Sequence, residues 1–323
     1  MTLTQPGNTE LNGSMSGVSL SFTLETDALD VEATLDGGQA FRWWRVGGPK
    51  SGLASYDGVI GRSAVRISQV DGGARVDVRS GEVPEAFPDV VADYLGIRAD
   101  LGKLLDAFRD DPCIGPAMNG FPGLRLLRQD PWECLVSFIC SSTSNIPRIK
   151  LNVGSVAREL GQRIGPGDAD FAFPEPHVVA ASGEQFLRDL GLGFRAKFII
   201  PAAEKVASGQ LDLYALREAP YHEARSKLVI LNGVGEKIAD CVLAFSMDKP
   251  EAFPIDRHIR RALEHWYGLP ANFNNSQAAD FARARFGQHG ALGQQYMFHR
   301  ERLAQRAKWG GAHVEHALPE DRS

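Results

Sequence analysis

The chain has 323 residues, of which 43% are hydrophobic and 23% are charged, and its formal net charge is −5. This length allows one large or two to three small domains, and the composition is that of a globular protein rather than a fibrous or low-complexity one. Because no apolar run approaches membrane-spanning length, we expect no transmembrane segment.

The charge is distributed unevenly along the chain. Residues 1–100 carry 8 Lys/Arg against 14 Asp/Glu, whereas residues 257–308 carry 9 against 3. This asymmetry predicts a basic face on the C-terminal part, and such a local patch rather than the overall charge steers association with a polyanion. The four cysteines form no C-x-x-C pair and are expected to be reduced thiols of an intracellular protein: Cys113, Cys134, Cys140 and Cys241.

The N-terminal part reads mainly as strands. Residues 64–70 and 74–78 alternate with period two on either side of an Asp-Gly-Gly turn, which predicts an antiparallel hairpin. Residues 1–17 are polar, without the basic start and apolar stretch of a signal peptide. The predicted organisation is a disordered N-terminus at 1–17, an antiparallel sheet domain at 18–111, a helical domain at 112–308 and a flexible tail at 309–323.

A buried helix is predicted after Asp130. This acid is placed as an N-cap, Pro131 occupies the first helical position and Glu133 follows three residues after the cap. The helix is apolar nearly all round to Cys140, which indicates burial. The polar residues 141–145, Ser-Ser-Thr-Ser-Asn, end it, and a second helix is expected near the following proline.

A turn between two helices is predicted at residues 231–235, Leu-Asn-Gly-Val-Gly. Gly233 and Gly235 allow positive φ there, and outward amides at the start of the second helix can bind phosphate. Lys237 lies in the first turn of that helix, where the dipole and unsatisfied N–H groups disfavour an ammonium, and a neutral amine is a nucleophile. The alternative is a solvated first-turn lysine.

Three side chains on this helix share one face. Lys237, Cys241 and Phe245 are spaced i, i+4, i+8 and predict one wall of a pocket, although Cys241 and Phe245 could equally be core residues. Asp256 follows Pro254-Ile255 and precedes a helical run, so it is placed as an N-cap. Capping alone would explain it, but a carboxylate held by helix amides can also stabilise developing positive charge.

The helix-hairpin-helix, the Gly/Pro-rich loop and Asp256 together resemble the base-excision DNA glycosylases of the helix-hairpin-helix (HhH-GPD) superfamily. The sequence Gly-Val-Gly-Glu-Lys-Ile-Ala-Asp-Cys at residues 233–241 is similar to the 8-oxoguanine DNA glycosylase/AP lyase branch. The resemblance spans roughly residues 38–298. It implies an α+β fold, in which a mostly helical two-lobed body carries an N-terminal antiparallel β-sheet domain.

The resemblance also implies a reaction. Lys237 would attack C1′ of a nucleotide flipped from double-stranded DNA, release 8-oxoguanine and form a Schiff base that permits strand cleavage by β-elimination. Asp256 would stabilise the oxocarbenium character. No organic cofactor is implied, a monovalent or calcium-like ion could occupy the hairpin carbonyls, and no iron-sulfur cluster is expected because no cysteine follows Cys241.

Base recognition is implied at both ends of the resemblance. Residues 36–43 resemble the Gly-Gln-x-Phe-Arg-Trp segment whose glycine carbonyl, here that of Gly38, accepts the N7 proton of 8-oxoguanine. Residues 290–298 resemble the stretch in which Gln294 reads the Watson–Crick edge and Phe298 stacks on the base. The alternatives are a turn that needs positive φ at Gly38 and a generic amphipathic helix at Gln294 and Phe298.

The segments facing the opposite strand depart from the family pattern. The family usually has Ser-Ser-Asn-Asn-Asn where this chain has residues 141–145, so only Asn145 is kept, and strict preference for cytosine opposite the lesion is not implied. Arg148 and Arg195 match the two arginines that hold the orphaned cytosine, with phosphate binding as the alternative. Phe194 stands where a tyrosine wedge is common.

The expected partner is double-stranded DNA containing an oxidised guanine, contacted also by Gly233, Gly235 and His258; an ordinary helix-face histidine is the alternative for His258. We expect a monomer with no membrane association, in a bacterial cytoplasm and nucleoid in preference to a eukaryotic nucleus. Two other functions remain open. One is a glycosylase of the same superfamily for mispaired adenine, an alkylated purine or an oxidised pyrimidine, and the other is a non-catalytic DNA-binding module.

Overall fold

The computed structural model describes residues 20–47 and 52–308. The disorder expected at residues 1–17 and the flexible tail expected at 309–323 lie outside these residues. Within them, a five-stranded antiparallel sheet has the order β1-β5-β4-β3-β2. The strands are β1 Ser21–Glu25, β2 Trp43–Arg45, β3 Ser55–Ile60, β4 Ser63–Val70 and β5 Gly73–Gly81.

The predicted hairpin is confirmed as β4 and β5, which pair with Ile67 opposite Val76. Successive side chains of a strand point to opposite faces of the sheet, so the alternating apolar residues share one inner face. This face packs with α1 (Val31–Leu35) and α2 (Phe87–Tyr94) around a core that includes Val65 and Phe87. The indole N–H of Trp43 donates to the hydroxyl of Tyr94 at 2.8 Å. The sheet therefore has its own core, and β2 leads directly from the segment that resembles a base-binding loop.

Fourteen α-helices occur in the described part of the chain. They are α1 Val31–Leu35, α2 Phe87–Tyr94, α3 Leu101–Asp106, α4 Ile114–Gly120, α5 Pro131–Cys140, α6 Ile146–Leu160, α7 Pro176–Ser182, α8 Glu184–Leu187, α9 Ala196–Ala207, α10 Tyr221–Val229, α11 Glu236–Ser246, α12 Arg257–Tyr267, α13 Asn275–Phe286 and α14 Gly290–Lys308. None of these helices is both long and apolar enough to cross a membrane, a statement confined to residues 20–47 and 52–308.

The helices form two lobes, as expected. One core is built around α5, α6, α9, α10 and α11, and the other around α4, α12, α13 and α14. Helix α5 is the centre of the first lobe, and Glu133 is its only residue that is not buried. The N-cap at Asp130 is confirmed, since its Oδ1 accepts from the amides of Trp132 and Glu133, both at 2.9 Å.

An ion pair between the buried Arg42 and the partly exposed Glu133 joins the sheet segment to α5. The Glu133 carboxylate accepts from Nε and Nη2 of Arg42, each at 2.7 Å, and Arg42 Nη1 donates to the Phe171 carbonyl at 2.6 Å. The spacing of Glu133 from Asp130 suggested a reciprocal helix cap, but the Glu133 carboxylate binds Arg42 instead. Because Arg42 belongs to the segment after Gly38, this pair fixes that segment against the helical body.

Candidate active site

The turn between α10 and α11 is closely packed at one glycine and open at the other. Gly233 has φ +82°, and a Cβ there would lie 2.3 Å from the ring of Phe198. Gly235 has φ −85° and ψ 178° and is the N-cap of α11, so the expectation of positive φ is wrong for this residue. A Cβ at Gly235 would meet nothing within 4 Å. The start of α11 thus faces open space.

Polar contacts hold the two helices of the hairpin together. The Asp240 carboxylate accepts from the hydroxyl of Tyr221 at 2.9 Å and from Arg225 Nε at 3.1 Å. Arg225 Nη2 also lies 3.3 Å from Glu236. Burial raises the pKa of Asp240, and the Arg225 guanidinium opposes this shift. These contacts fix the orientation of α11 and so of its first turn, the part of this helix that is not buried.

Lys237 points into a cleft. Its Nζ donates to Ser141 Oγ at 3.1 Å and lies 5.5 Å from the centre of the Phe138 ring. Phe245, two turns further along α11, stacks on Phe138 with centroids 5.6 Å apart. Cys241 lies between Lys237 and Phe245 on α11. Burial raises the pKa of the Cys241 thiol to about 12, and the Lys237 charge opposes that shift. The thiol is therefore neutral at physiological pH.

Asp256 caps α12 from the other side of the cleft. Its Oδ1 accepts from the amides of His258 and Ile259, both at 2.9 Å, so the capping role is confirmed. Burial lowers the pKa of His258, and the Asp256 carboxylate opposes this shift. The His258 ring meets Phe298 edge-on at 5.3 Å. The cap and the histidine thus belong to the wall that carries the predicted base-stacking residue.

The cleft lies where the two lobes and the sheet segment meet, and its volume is about 1420 Å³. It brings together many of the predicted site residues. These are Gly38, Asn145, Lys237, Cys241, Phe245, Asp256, His258, Gln294 and Phe298. Arg148, Phe194, Arg195, Gly233 and Gly235 are not part of its lining. The space is larger than a drug-sized pocket.

The base end of the cleft is built from a turn and from α14. Gly38 has φ +81°, and a Cβ there would lie 2.8 Å from Phe298 Cε1, so a side chain at this position would displace the ring. Gln295 Nε2 donates to the Gly37 carbonyl at 2.9 Å. Gln294 is 4% exposed, and its Oε1 is buried without a hydrogen-bond partner among the described residues.

The segments predicted to face the opposite strand are occupied with protein contacts. Asn145 Oδ1 caps α6 by accepting from the Arg148 amide at 3.0 Å, and Arg148 Nη2 donates to the Gly191 carbonyl at 2.9 Å. Arg195 is 8% exposed and donates to backbone carbonyls, whereas Phe194 is 43% exposed. The roles of these residues toward DNA stay predictions.

The sequence interpretation did not find several residues of the site. Ser141 and Phe138 contact the lysine, and Gln295 and Gln39 hold the glycine turn. Gln39 Nε2 donates to the Arg125 carbonyl at 2.8 Å. Ser141 is recognisable in the sequence as the first polar residue after an apolar helix. Its contact with Lys237 is not, because the two residues are 96 positions apart.

The described residues contain no group of three or more His, Cys, Asp or Glu side chains that could hold a metal ion. All four cysteines are free thiols. The geometry is thus that of a helix-hairpin-helix protein with an amine and a capping carboxylate in one cleft.

Comparisons with known proteins agree with this geometry. Residues 21–135 match the family of the 8-oxoguanine DNA glycosylase N-terminal domain, and residues 136–286 match the HhH-GPD superfamily of base excision DNA repair proteins. The N-glycosylase/DNA lyase of Saccharomyces cerevisiae is 36% identical over 269 residues, covering 75% of this chain and 69% of that protein. The chain belongs to the 8-oxoguanine DNA glycosylase family of the HhH-GPD superfamily.

Two further relatives extend the comparison. The N-glycosylase/DNA lyase OGG1 of Arabidopsis thaliana is 35% identical over 240 residues, covering 72% of this chain and 64% of its own length, slightly less than two thirds. The 8-oxoguanine glycosylase/lyase of Clostridium acetobutylicum, solved with double-stranded DNA containing cytosine opposite 8-oxoguanine, has a TM-score of 0.79. It is 27% identical, with 88% of this chain and 98% of that chain covered.

Proposed function

We propose that this protein is a bifunctional DNA glycosylase and AP lyase that excises 8-oxoguanine from double-stranded DNA. The observation that carries the proposal is the position of the Lys237 amine, which lies in a cleft of about 1420 Å³ also lined by Asp256, Gly38 and Phe298. The names of the relatives, N-glycosylase/DNA lyase and 8-oxoguanine glycosylase/lyase, support the same reaction.

The chemistry follows from an amine and a carboxylate that line the same cleft. The lone pair of neutral Lys237 Nζ bonds to C1′ of the flipped nucleotide, and the C1′–N9 bond breaks with its electron pair leaving on the base. Positive charge that grows on the sugar is stabilised by the Asp256 carboxylate, which the amides of α12 hold in place. The proton lost from Nζ goes to the departing base. The nitrogen lone pair then expels O4′, which takes a proton from water, and the opened sugar is held as an iminium. Loss of a C2′ proton then expels the 3′ phosphate.

Selection of the oxidised base is assigned to the opposite wall. The Gly38 carbonyl would accept the N7 proton that 8-oxoguanine has and guanine lacks, and Gln294 would pair with the Watson–Crick edge. Phe298 would stack on the face of the base. Gln294 and Phe298 both line the cleft, and this placement supports the assignment.

The hairpin supplies the grip on the DNA backbone. The open space in front of Gly235 leaves room for a phosphate at the start of α11, where amides and the helix dipole favour an anion. A non-catalytic module would have no use for the amine in the cleft, so that alternative is not favoured. All the groups used here come from one chain, and we propose that the protein acts as a monomer. A hairpin ion and a bacterial cytoplasmic location stay predictions.

Borohydride trapping tests the proposal. Incubation with a duplex containing 8-oxoguanine should give a covalent adduct under borohydride, because reduction fixes the lysine Schiff base. Lys237→Gln should abolish the adduct, whereas Lys227→Gln, which removes an exposed lysine paired with Glu223 at 2.7 Å, should leave it. An adduct that persists in Lys237→Gln, or excision of an alkylated purine or oxidised pyrimidine without excision of 8-oxoguanine, would refute the assignment.

A further inference from the structure

Ser141 makes two hydrogen bonds that constrain the nucleophile. It is the C-cap of α5, where its Oγ donates to the Phe138 carbonyl at 2.6 Å. The same oxygen accepts from Lys237 Nζ at 3.1 Å. A serine hydroxyl has one proton and two lone pairs, so a hydroxyl that donates to a carbonyl can only accept from the amine.

This constraint orients the amine. One N–H of Lys237 is directed at Ser141, and the Phe138 ring covers a neighbouring side at 5.5 Å from Nζ. The two remaining positions on the nitrogen, one of which is the lone pair when the amine is neutral, are therefore directed away from Ser141. Cys241 is the other side chain against the amine, and as a neutral thiol it is only a weak hydrogen-bond partner.

The loop that begins at Ser141 is held by a buried arginine. Arg195 Nε donates to the Ser142 carbonyl at 3.0 Å, Nη2 to the Thr143 carbonyl at 3.0 Å, and Nη1 to the Leu192 carbonyl at 3.3 Å. Thr143 has φ +49°, a left-handed conformation that is strained for a β-branched residue. Such a conformation persists only where the surroundings hold it, and the bond from Arg195 to the Thr143 carbonyl does so.

We infer that Ser141 is a positioning residue for Lys237, and that Arg195 acts through the loop at residues 141–145 to keep Ser141 in place. The inference rests on the proposed role of Lys237 as the nucleophile. It gives Arg195 a task separate from contact with an orphaned base. The same loop thus connects the side predicted to face the opposite strand with the amine.

Three variants test the first step. Ser141→Ala should lower the single-turnover rate of borohydride trapping roughly tenfold to a hundredfold, because the amine loses its orientation. The dissociation constant for duplex DNA carrying an uncleavable abasic analogue should stay within about twofold of the wild-type value, since Ser141 is not in the proposed DNA grip. Ser141→Thr retains the hydroxyl and should recover most of the rate.

Ser208→Ala is the matched control. Ser208 is the C-cap of α9, and its Oγ donates to the Lys205 carbonyl at 3.2 Å, which is the same capping bond away from the cleft. This variant should trap at the wild-type rate. A Ser141→Ala enzyme that traps as fast as wild type, or that loses DNA affinity in proportion to rate, would overturn the positioning role.

Arg195→Lys tests the second step. The duplex should carry an abasic site as substrate and an abasic analogue opposite it, so that no orphaned base is present. The trapping rate should still fall by roughly fivefold or more, because lysine cannot bridge three carbonyls. If the loss occurs only when cytosine is opposite, Arg195 is a base contact and the coupling is wrong. Absence of trapping by the wild-type protein would instead refute the proposed function itself.

Discussion

The two walls of the cleft are held in different ways. The lysine wall consists of α11 packed on α5, where Phe138 lies beside the Lys237 amine and stacks on Phe245. The base wall is a short turn at Gly37 and Gly38 that depends on side-chain hydrogen bonds, including the one from Gln295. Packing holds the helix that carries the nucleophile, whereas side-chain hydrogen bonds hold the turn that presents the Gly38 carbonyl. Damage to the first wall should therefore abolish the reaction, and damage to the second should change which base is accepted.

Gly233→Ala should break the lysine wall most severely. The substitution forces positive φ on alanine and places its Cβ within 2.3 Å of the Phe198 ring. We expect the free energy of unfolding to fall by about 2 to 4 kcal/mol, with loss of trapping and of DNA binding. Urea denaturation and a binding titration measure both effects.

Gly235→Ala is the control for Gly233→Ala. The φ of −85° at Gly235 suits alanine and the Cβ enters open space, so stability should change by about 1 kcal/mol or less. DNA affinity should still fall, since the methyl group occupies space in front of the α11 amides. Equal destabilisation by the two variants would contradict the structure of the turn.

Glu133→Gln should separate the two walls. It leaves the Arg42 guanidinium, which is 3% exposed, without its charged partner. Because Glu133 is 21% exposed and glutamine still offers an acceptor oxygen, we expect a loss of about 1.5 to 3 kcal/mol. The exposed pair of Glu223 and Lys227 gives the comparison, because Glu223→Gln should cost less than about 0.5 kcal/mol. Thermal and urea unfolding measure the loss of stability in both variants. Similar small losses of stability would mean that the Arg42 pair does not join the sheet segment to α5.

The features that the sequence predicts correctly are formed by residues that lie close together in the chain. The β4–β5 hairpin and the caps at Asp130 and Asp256 follow from residues a few positions apart, because alternation and capping act over that range. The bond from Ser141 to Lys237 spans 96 residues, and that from Gln295 to Gly37 spans 258. Only tertiary packing brings these pairs together. The prediction of positive φ at Gly235 failed for a different reason, because glycine permits positive φ but does not require it.

Gln295→Leu should damage the base wall alone. The Gly37 carbonyl loses its donor, and the turn that presents the Gly38 carbonyl is released. We expect kcat/KM for 8-oxoguanine relative to guanine to fall roughly tenfold, the equivalent of one lost hydrogen bond, while borohydride trapping on a preformed abasic site is unchanged. A loss of trapping equal to the loss of discrimination would show that the two walls are not independent.

The smallest expected effect on stability is that of His258. Its ring contacts Phe298, so its titration makes the stability of the base side of the cleft depend on pH. Because burial lowers its pKa below the ordinary value of 6.5, the folded protein binds a proton at this ring less readily than the unfolded chain does. As pH falls below about 6.5, the unfolded state takes up the proton first, so stability declines with acidification from that point. His258→Gln should remove this component and flatten the dependence of the urea midpoint between about pH 7.5 and 5.5. An unchanged slope in the variant would mean that other groups carry the acid response. A flatter slope with unchanged trapping at neutral pH would assign the histidine to the stability of the base wall, apart from the amine opposite it.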